Sequence, residues 1–523
     1  EILIGLVGSE MCIRDSYERN RDTDNVTNKM VFKGNIEYLT ENEIGIRLRA
    51  TQQNPSVLPA ESLYAIEHDT MDTTFRSMYQ GLYIYLSARK ERRDLLLSQR
   101  PPRFDESLDS MISRSEDDFT RIALKAKAAQ DYFLLIGPPG TGKTSCALKK
   151  MVETFHADKD AQILLLSYTN RAVDEICKSL ASIAPAVDFI RVGSELSCDE
   201  AYRGHLIENE LSSCNRRSEV YERIRNCRII VGTVAAISGK PELFRLKHFD
   251  VAIIDEATQI LEPQLLGILC ARGEDGKDAI DKFVLIGDHK QLPAVVQQNT
   301  EQSAIYDESL LSIGLTNLKD SLFERLYRNC TATVHRSYDM LCRQGRMHPE
   351  VALFANRAFY GGRLIPVGLP HQIESSDTIC RLAFYPSVPE KAGASAKINY
   401  SEARIVADLA VRIYEDHQTD FDESRTLGII TPYRSQIALI KKEIESLGIP
   451  ALNRILVDTV ERFQGSERDV IIYSFCVNYP YQLKFLSNLT EEEGVLIDRK
   501  LNVALTRARK QMFITGVPEL LER

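Results

Sequence analysis

The sequence predicts an α/β protein with two similar domains on parallel sheets, preceded by a small β-rich segment and a helical stalk. Strand-sized apolar runs that alternate with helical segments carry this prediction, because such alternation is typical of parallel sheets. One series comprises residues 133–136, 163–168, 189–192, 229–231, 251–254 and 283–286, and the second comprises 381–385, 427–431, 455–458, 470–475 and 512–515. The length of 523 residues suits about three domains.

Composition limits the classes of function. The chain has 44% hydrophobic and 27% charged residues, which is typical of a soluble globular protein. No apolar run approaches the ~20 residues of a membrane helix, so no membrane span is predicted. A net charge of -9 excludes a protein that wraps nucleic acid with its whole surface and confines such binding to a groove. The eleven cysteines are scattered without a CxxC pair, which favours reduced thiols and a cytoplasmic setting.

The N-terminal part of the chain divides into three segments. We interpret residues 1–16 as a sequence artefact, similar to translated adapter read-through, with an ordinary strand as the alternative; the native N-terminus is then missing. Residues 17–69 are predicted to form a small β-rich domain, because residues 29–68 alternate apolar and polar side chains around turn-formers and fit a small barrel or sheet. Residues 70–103 are predicted to form a helical stalk and linker. The six basic residues within 89–103 indicate either phosphate contact or, as composition favours, a solvated helix face.

Residues 137–144 (GPPGTGKT) form a phosphate-binding loop between a predicted strand and a helix that begins near Ser145. In such a loop the backbone N–H groups and the helix dipole face the phosphates. Lys143 reaches the β and γ oxygens, and the Thr144 hydroxyl binds Mg²⁺. The sequence therefore predicts binding of a nucleoside triphosphate with Mg²⁺, and the predicted contacts are Gly137, Pro138, Pro139, Gly140, Thr141, Gly142, Lys143, Thr144 and Ser145.

Two adjacent carboxylates follow the predicted strand at 251–254. Asp255 stands at the carboxyl end of this strand, where it can serve as the protein ligand of the metal. Glu256, one residue later, can orient and deprotonate the attacking water. The alternative is an acidic N-cap of the following helix, which accounts for only one of the two carboxylates. The pair predicts hydrolysis in addition to binding.

The ordered set of motifs resembles that of superfamily 1 helicases. The similarity is to the branch that contains the nonsense-decay RNA helicase and the replicative nuclease-helicase, and it spans residues 70–516. Besides the phosphate loop and 255–259 (DEATQ), the motifs are 169–174 (TNRAVD), 287–293 (GDHKQLP), 344–349 (QGRMHP), 428–436 (GIITPYRSQ), 457–469 (VDTVERFQGSERD) and 501–509 (LNVALTRAR).

The resemblance implies two RecA-like motor domains, at residues 104–326 and 327–523, and assigns roles in the cleft between them. Gln291 corresponds to a γ-phosphate sensor, with a polar turn residue as the alternative. Arg346 and Arg507 correspond to arginine fingers from the second domain, with surface salt bridges as the alternative. Glu467 corresponds to the residue that meets the ribose.

The resemblance also implies contacts to nucleic acid and a mechanism. Positions that match phosphate contacts of the family are Thr169, Asn170, Thr233, Thr431 and Thr459. The implied activity is ATP-dependent translocation on single strands and unwinding of tailed DNA or RNA duplexes, 5′ to 3′. One alternative is an ATP-gated clamp or remodeller that does not unwind. Another is the motor part of a larger nuclease-helicase whose nuclease, or another domain, lies in missing N-terminal sequence.

Two positions depart from the family pattern around the nucleobase. The family has an adenine-reading glutamine seventeen or eighteen residues before the phosphate loop, where this chain has Thr120 and Phe119. The family usually has a stacking aromatic residue next to the Arg346 position, where this chain has Gly345. Since the predicted phosphate and Mg²⁺ groups are present, the departures predict weak discrimination between nucleobases.

Overall fold

The computed structural model divides the chain into two compact units, Glu1–Tyr79 and Gln80–Arg523. The structure describes residues 12–18, 32–40, 42–48, 64–68, 73–296, 298, 301–333, 335–375, 379–390, 395–492 and 494–522. Within these ranges, no helix combines the length and the apolar character that crossing a membrane requires. Residues 1–11, most of the segment interpreted as an artefact, lie outside the described residues.

The first unit contains a four-stranded antiparallel sheet. Its strands are β1 (Cys12–Glu18), β2 (Phe32–Leu39), β3 (Ile44–Leu48) and β4 (Tyr64–His68), in the order β3-β2-β1-β4. The prediction of short antiparallel strands in this region is confirmed. Because β3 and β4 are the edges, the described strands form an open sheet and not a closed barrel. Residues 12–16, which belong to the segment interpreted as an artefact, lie in β1, and β1 pairs with both β2 and β4.

Four helices precede the first parallel sheet: α1 (Thr73–Ser87), α2 (Lys90–Leu96), α3 (Asp109–Arg114) and α4 (Asp118–Ala128). The segment predicted as stalk and linker contains α2, which packs into the core of the larger unit. Leu95 and Leu96 are 1% and 0% exposed and belong to the same apolar cluster as Tyr132 of the first parallel sheet. Residues 90–96 are therefore packed with the first parallel sheet and do not form a separate stalk.

The basic run at residues 89–103 is divided between solvent and the protein interior, since Lys90 and Arg103 are exposed whereas Arg92 is buried. Arg89 and Arg92 bind the carboxylate of Asp278, at 2.5 and 3.4 Å. Arg100 and Arg103 both bind the carboxylate of Asp131, each at 2.8 Å. Both acidic partners lie far away in the sequence, so the charge pattern of the run could not reveal these ion pairs.

The first parallel sheet has seven strands in the order β11-β5-β10-β9-β6-β8-β7. The strands are β5 (Tyr132–Ile136), β6 (Ile163–Ser167), β7 (Phe189–Val192), β8 (Ile229–Thr233), β9 (Phe249–Ile254), β10 (Ile280–Gly287) and β11 (Tyr338–Met340). All six predicted strand runs are confirmed, and β11 is an addition. Since β11 pairs with β5, the chain leaves this sheet after Met340, later than the predicted division at 326/327.

Helices connect these strands and cover both faces of the sheet. They are α5 (Lys149–His156), α6 (Asn170–Ala181), α7 (Ile207–Glu210), α8 (Arg217–Asn226), α9 (Val234–Ser238), α10 (Glu242–Leu246), α11 (Glu262–Leu269), α12 (Glu308–Ser312) and α13 (Leu322–Ala332). The residues of β5, β6 and β8 are buried throughout, because helices pack on both faces.

The second parallel sheet has five strands in the order β14-β20-β17-β15-β16. The strands of the C-terminal part are β12 (Arg343–Gln344), β13 (Ile365–Pro366), β14 (Leu382–Pro386), β15 (Leu427–Ile430), β16 (Leu456–Asp458), β17 (Arg468–Ser474), β18 (Leu489–Glu492), β19 (Val495–Asp498) and β20 (Ala508–Gly516). All five predicted runs of the second series lie in this sheet. β18 and β19 form a separate antiparallel hairpin.

The helices of the C-terminal part are α14 (Pro349–Tyr360), α15 (Pro370–Ile373), α16 (Tyr400–Asp416), α17 (Arg434–Ser446), α18 (Val460–Phe463), α19 (Leu483–Leu486), α20 (Arg499–Leu505) and α21 (Pro518–Leu521). The fold is thus α/β, with two parallel sheets in tandem. In such sheets the loops at the carboxyl ends of the strands converge on one edge, which is where ligands bind.

Candidate active site

The phosphate-binding loop connects β5 to a π-helical turn, Lys143–Leu148, which leads into α5. Gly140 and Gly142 have φ angles of +73° and +74°, in the left-handed region that favours glycine. A Cβ on Gly140 would also lie 2.4 Å from the Cβ of Arg346, so the close approach of these two segments requires glycine. The loop therefore lies directly against the segment that carries a predicted arginine finger.

The remaining predicted residues of the loop differ in exposure. Gly137, Pro138, Pro139 and Thr141 are buried, whereas Ser145 is exposed. The Thr141 hydroxyl donates to the Pro138 carbonyl at 2.7 Å. This hydrogen bond lies within the loop and closes its turn. The side chains of Lys143 and Thr144 instead contact Glu256 and Asp255.

The predicted metal ligands meet at this loop. The Thr144 hydroxyl donates to the Asp255 Oδ2 at 2.5 Å, and Asp255 is 1% exposed. Burial, together with the neighbouring charge of Glu256, raises the pKa of Asp255 to about 6. A hydroxyl beside a buried carboxylate is the oxygen donor set that Mg²⁺ prefers, so these residues fit the metal that the fold family uses.

Glu256 and Lys143 form an ion pair, with 2.6 Å between Oε1 and Nζ. Glu256 has a φ of +54°, a conformation that a side-chain-bearing residue adopts only when its surroundings impose it. The Gln259 amide donates to the Glu256 Oε2 at 2.8 Å. Burial acts to raise the pKa of Glu256, but Lys143 and Gln259 outweigh it and hold this pKa below its usual value. The carboxylate is therefore ionised and can accept a proton.

The motif at residues 287–293 places Gln291 beside a buried carboxylate, that of Asp288, which is 1% exposed. The Gln291 Nε2 donates to the Asp288 Oδ2 at 2.7 Å. The Gln291 Oε1 in turn accepts from Arg507, at 3.4 Å. The predicted sensor and one predicted finger thus touch each other across the two sheets.

The structure brings both predicted arginine fingers to the same cleft. Arg507 is 2% exposed; burial and the charge of Arg346 lower its pKa to about 9. Arg346 binds Glu467, with Nε 2.5 Å from Oε2, so the predicted ribose residue pairs with a finger. The backbone N–H of Gly345 donates to the Gly140 carbonyl at 2.8 Å, which fixes the finger segment on the phosphate loop.

Two residues that sequence reasoning missed join the motifs across the cleft. The Tyr360 hydroxyl donates to the Asp288 Oδ2 at 2.7 Å. The Asn502 Nδ2 donates to the Lys290 carbonyl at 2.7 Å and to the Tyr360 hydroxyl at 2.8 Å. Asn502 is 0% exposed, and a buried amide within the apolar segment 501–505 was the signal that could have identified it. Tyr360, at the end of α14, carried no comparable signal.

The five predicted nucleic-acid positions all lie at or just after carboxyl ends of parallel strands, but the exposure of their side chains differs. The hydroxyls of Thr169 and Thr233 accept from backbone N–H groups and cap α6 and α9. Asn170 and Thr459 are half-buried. Thr431 is 0% exposed, and its buried Oγ1 has no hydrogen-bond partner among the described residues.

Apolar side chains lie near the two positions that depart from the family pattern. The Phe119 ring lies 3.5 Å from the position that a Cβ on Gly142 would occupy. A Cβ on Gly345 would lie 3.2 Å from Leu369 and 3.4 Å from Val367, so aliphatic groups border the place of the missing aromatic ring.

Comparison with known proteins adds the family. Two family models described as AAA domain match the chain, one at residues 114–220 and 207–299 and the other at 318–519. DNA replication ATP-dependent helicase/nuclease DNA2 of Gallus gallus is 28% identical over 492 residues, which cover 90% of this chain and 44% of that protein. DNA polymerase alpha-associated DNA helicase A of Saccharomyces cerevisiae is 24% identical and covers 88% of this chain and 73% of that protein.

Among solved structures, the complex of Arterivirus nonstructural protein 10 (helicase) with DNA is 15% identical, with a TM-score of 0.38, and covers 77% of this chain and 65% of that one. The chain spans less than half the length of the DNA2 relative. The family matches extend over both parallel sheets and include every motif from the phosphate loop to Arg507. The chain therefore belongs to the superfamily 1 helicases, in their 5′ to 3′ branch.

Proposed function

We propose that the chain is an ATP-dependent helicase motor that translocates on single-stranded nucleic acid and unwinds tailed duplexes. The observation that carries the proposal is the contact between Gln291 and Arg507, because it joins the hydrolytic groups of one sheet to a charged group of the other. Nucleotide hydrolysis at such a junction changes how the two sheets are held together. The two parallel-sheet domains then bind the strand in alternation, and the protein moves along it in one direction.

In the proposed mechanism, Thr144 and Asp255 would hold Mg²⁺, which supplies charge neutralisation at the phosphate oxygens. Lys143 leaves Glu256 to bind the β and γ oxygens of ATP, and Glu256 takes the proton of the attacking water. Arg346 and Arg507 stabilise the charge that develops in the transition state. Gln291 loses its contact when the γ-phosphate is released. Because Gln291 and Tyr360 both donate to Asp288, and Asn502 donates to Tyr360, this loss alters the hydrogen bonds of Tyr360 and Asn502.

The substrate and its polarity belong to the same proposal. The curated relatives are named DNA helicases, which supports DNA as the first substrate to test, with RNA as the second. The 5′ to 3′ direction comes from the family branch. The proposed cytoplasmic setting rests on the cysteines, and the ten from Cys146 to Cys476 are free thiols.

Two alternatives remain for experiment. A clamp or remodeller would grip strands without separating them. A motor part of a larger nuclease-helicase is favoured by one observation, since the chain matches 44% of a relative that is named as a helicase/nuclease.

A strand-displacement assay tests the proposal with four matched substrates: DNA and RNA duplexes with either a 5′ or a 3′ single-stranded tail. We expect ATP-dependent displacement of at least one 5′-tailed duplex and none of the 3′-tailed ones. Strand-stimulated ATP hydrolysis without displacement would favour the clamp. Absence of both would reject the motor function.

We expect relaxed nucleotide selectivity. GTP and the pyrimidine triphosphates should be hydrolysed at rates within about tenfold of ATP, a difference of only ~1.4 kcal/mol, because Phe119 and Thr120 stand where the family has its adenine-reading amide. The aliphatic groups near Gly345 and the Phe119 ring accept any base. Steady-state hydrolysis of the four nucleotides with saturating single strand measures this.

Thr120→Gln serves as the matched variant, because it returns the family's amide to the N-terminal turn of α4. This variant should prefer ATP more strongly than the parent protein does. A parent preference for ATP beyond about a hundredfold would contradict the prediction and indicate another base-reading residue.

A further inference from the structure

An exposed aromatic cluster follows β17 in the second sheet. Tyr479, Tyr481 and Phe485 are 37%, 53% and 73% exposed. The rings of Tyr479 and Tyr481 stack at 5.7 Å between centroids with 15° between planes. Phe485 meets Tyr481 edge-on, at 6.4 Å and 82°. Burial of exposed aromatic rings is favourable, so a ligand that covers these three rings would form a more stable complex.

A buried amide holds this cluster in place. Gln482 is 2% exposed, and its Oε1 accepts the backbone N–H groups of Asn478 and Tyr479, each at 2.9 Å. Its Nε2 donates to the Ala396 carbonyl at 2.8 Å and to the Tyr433 hydroxyl at 3.1 Å. With all these bonds made, the segment that carries the two stacked tyrosines is fixed to the surrounding loops, and the rings are oriented in advance of binding.

The cluster lies on the edge of the sheet that carries two predicted nucleic-acid positions. β17 and β15 are parallel neighbours with Tyr473 opposite Ile430, so the segments that follow these two strands leave the sheet at the same edge. Thr431 follows β15 directly, and Tyr433, which Gln482 contacts, belongs to the same motif. The unpartnered Thr431 Oγ1 is an independent sign that this edge is prepared for a polar ligand.

We infer that Tyr479, Tyr481 and Phe485 form a base-stacking platform for single-stranded nucleic acid. The inference rests on the proposed function, which supplies a strand at this edge of the sheet. Every base has a π-face, so stacking on such rings tolerates any sequence, as a translocating motor requires. With a net charge of -9, the chain as a whole does not attract phosphates, and stacking supplies affinity that does not depend on charge. The exposed Lys484 adds a local cation beside the rings.

The test compares single-strand affinity of the full chain and its variants by fluorescence anisotropy. Tyr481→Ala and Phe485→Ala are each expected to weaken binding of a short oligonucleotide by about 5- to 150-fold, the range of a lost base–aromatic stack. Tyr481→Phe keeps the ring and should bind like the parent, whereas Tyr481→Leu keeps apolar area without a ring and should not. Tyr221→Ala, at a 43% exposed tyrosine on α8, is the matched control and should have no effect.

Two further readouts separate stacking from other roles. A strand with 2-aminopurine should lose fluorescence when it binds the parent protein, and the Ala variants should reduce this quenching. The slope of log affinity against log salt should be the same in parent and variants, because no phosphate contact is removed. ATP hydrolysis without nucleic acid should be unchanged, since the rings lie outside the nucleotide site.

Parent-like strand affinity in both Ala variants would overturn the inference and leave the rings to a protein partner. Loss of affinity that Tyr481→Leu restores would also overturn it, because apolar area would then suffice. If the parent protein itself binds no strand and shows no strand-stimulated hydrolysis, the proposed function fails first, so the two failures are distinguishable.

Discussion

Arg507→Ala is expected to lower the turnover number for ATP hydrolysis by ~10³- to 10⁵-fold, with a much smaller change in nucleotide affinity. An arginine that stabilises charge present only in the transition state contributes to the rate and not to ground-state binding. Arg507 contacts the sensor Gln291 and lies in the cleft, where it can meet this charge. Arg346→Ala should act in the same direction. Steady-state kinetics and a nucleotide-binding titration separate rate from affinity.

Arg507 is 2% exposed, so the Ala variant needs a test of folding by thermal melting. Arg507→Lys keeps the positive charge and should recover only part of the rate, because the compact ammonium cannot make the paired hydrogen bonds of a planar guanidinium. Arg217→Ala, at an exposed arginine in the first turn of α8, is the matched control and should hydrolyse ATP like the parent. Equal losses of rate and affinity in Arg507→Ala would identify Arg507 as a structural residue.

Glu256→Gln is expected to lower the turnover number by ~10²- to 10⁴-fold while nucleotide binding persists. The amide has the shape of the carboxylate but cannot accept the proton of the attacking water. Lys143, which pairs with Glu256 at 2.6 Å, stays available for the phosphates. Lys143→Ala should instead lose both binding and turnover, because in the proposed mechanism the lysine itself binds the β and γ oxygens.

Rapid-quench turnover and a nucleotide-binding titration measure these effects. Glu242→Gln, at an exposed position in the first turn of α10, makes the same chemical change away from the cleft and should hydrolyse ATP like the parent. A near-parental rate in Glu256→Gln would reject Glu256 as the general base and require another group to take the proton.

The strands and the phosphate loop could be predicted from the sequence because their signals are local. A buried parallel strand is an apolar run, and all eleven predicted runs lie in the two sheets. The loop at 137–144 needs glycine where φ is positive, and Gly140 and Gly142 have that conformation. The adjacent Asp255 and Glu256 were recognisable because a strand end fixes where the following residues lie.

Other features could not be predicted because they join residues that are distant in the sequence. The basic run at 89–103 finds its acidic partners at Asp131 and Asp278 only after folding. The same holds for Tyr360, whose hydroxyl reaches Asp288 across the cleft. The local sequence around each partner does not indicate the other. The interpretation of the basic run as a solvated face therefore holds for the exposed Arg89, Lys90 and Arg103 but not for the buried Arg92.

By itself the sequence determined the α/β class, the order of the motifs and the chemistry at the phosphate loop, because these depend on residue types at short spacing. The tertiary structure decided which of those residues meet. Arg346 lies on the phosphate loop and pairs with Glu467, and Thr431, predicted to contact phosphate, is buried. Burial and pairing are properties of three-dimensional packing, so only the folded chain could establish them.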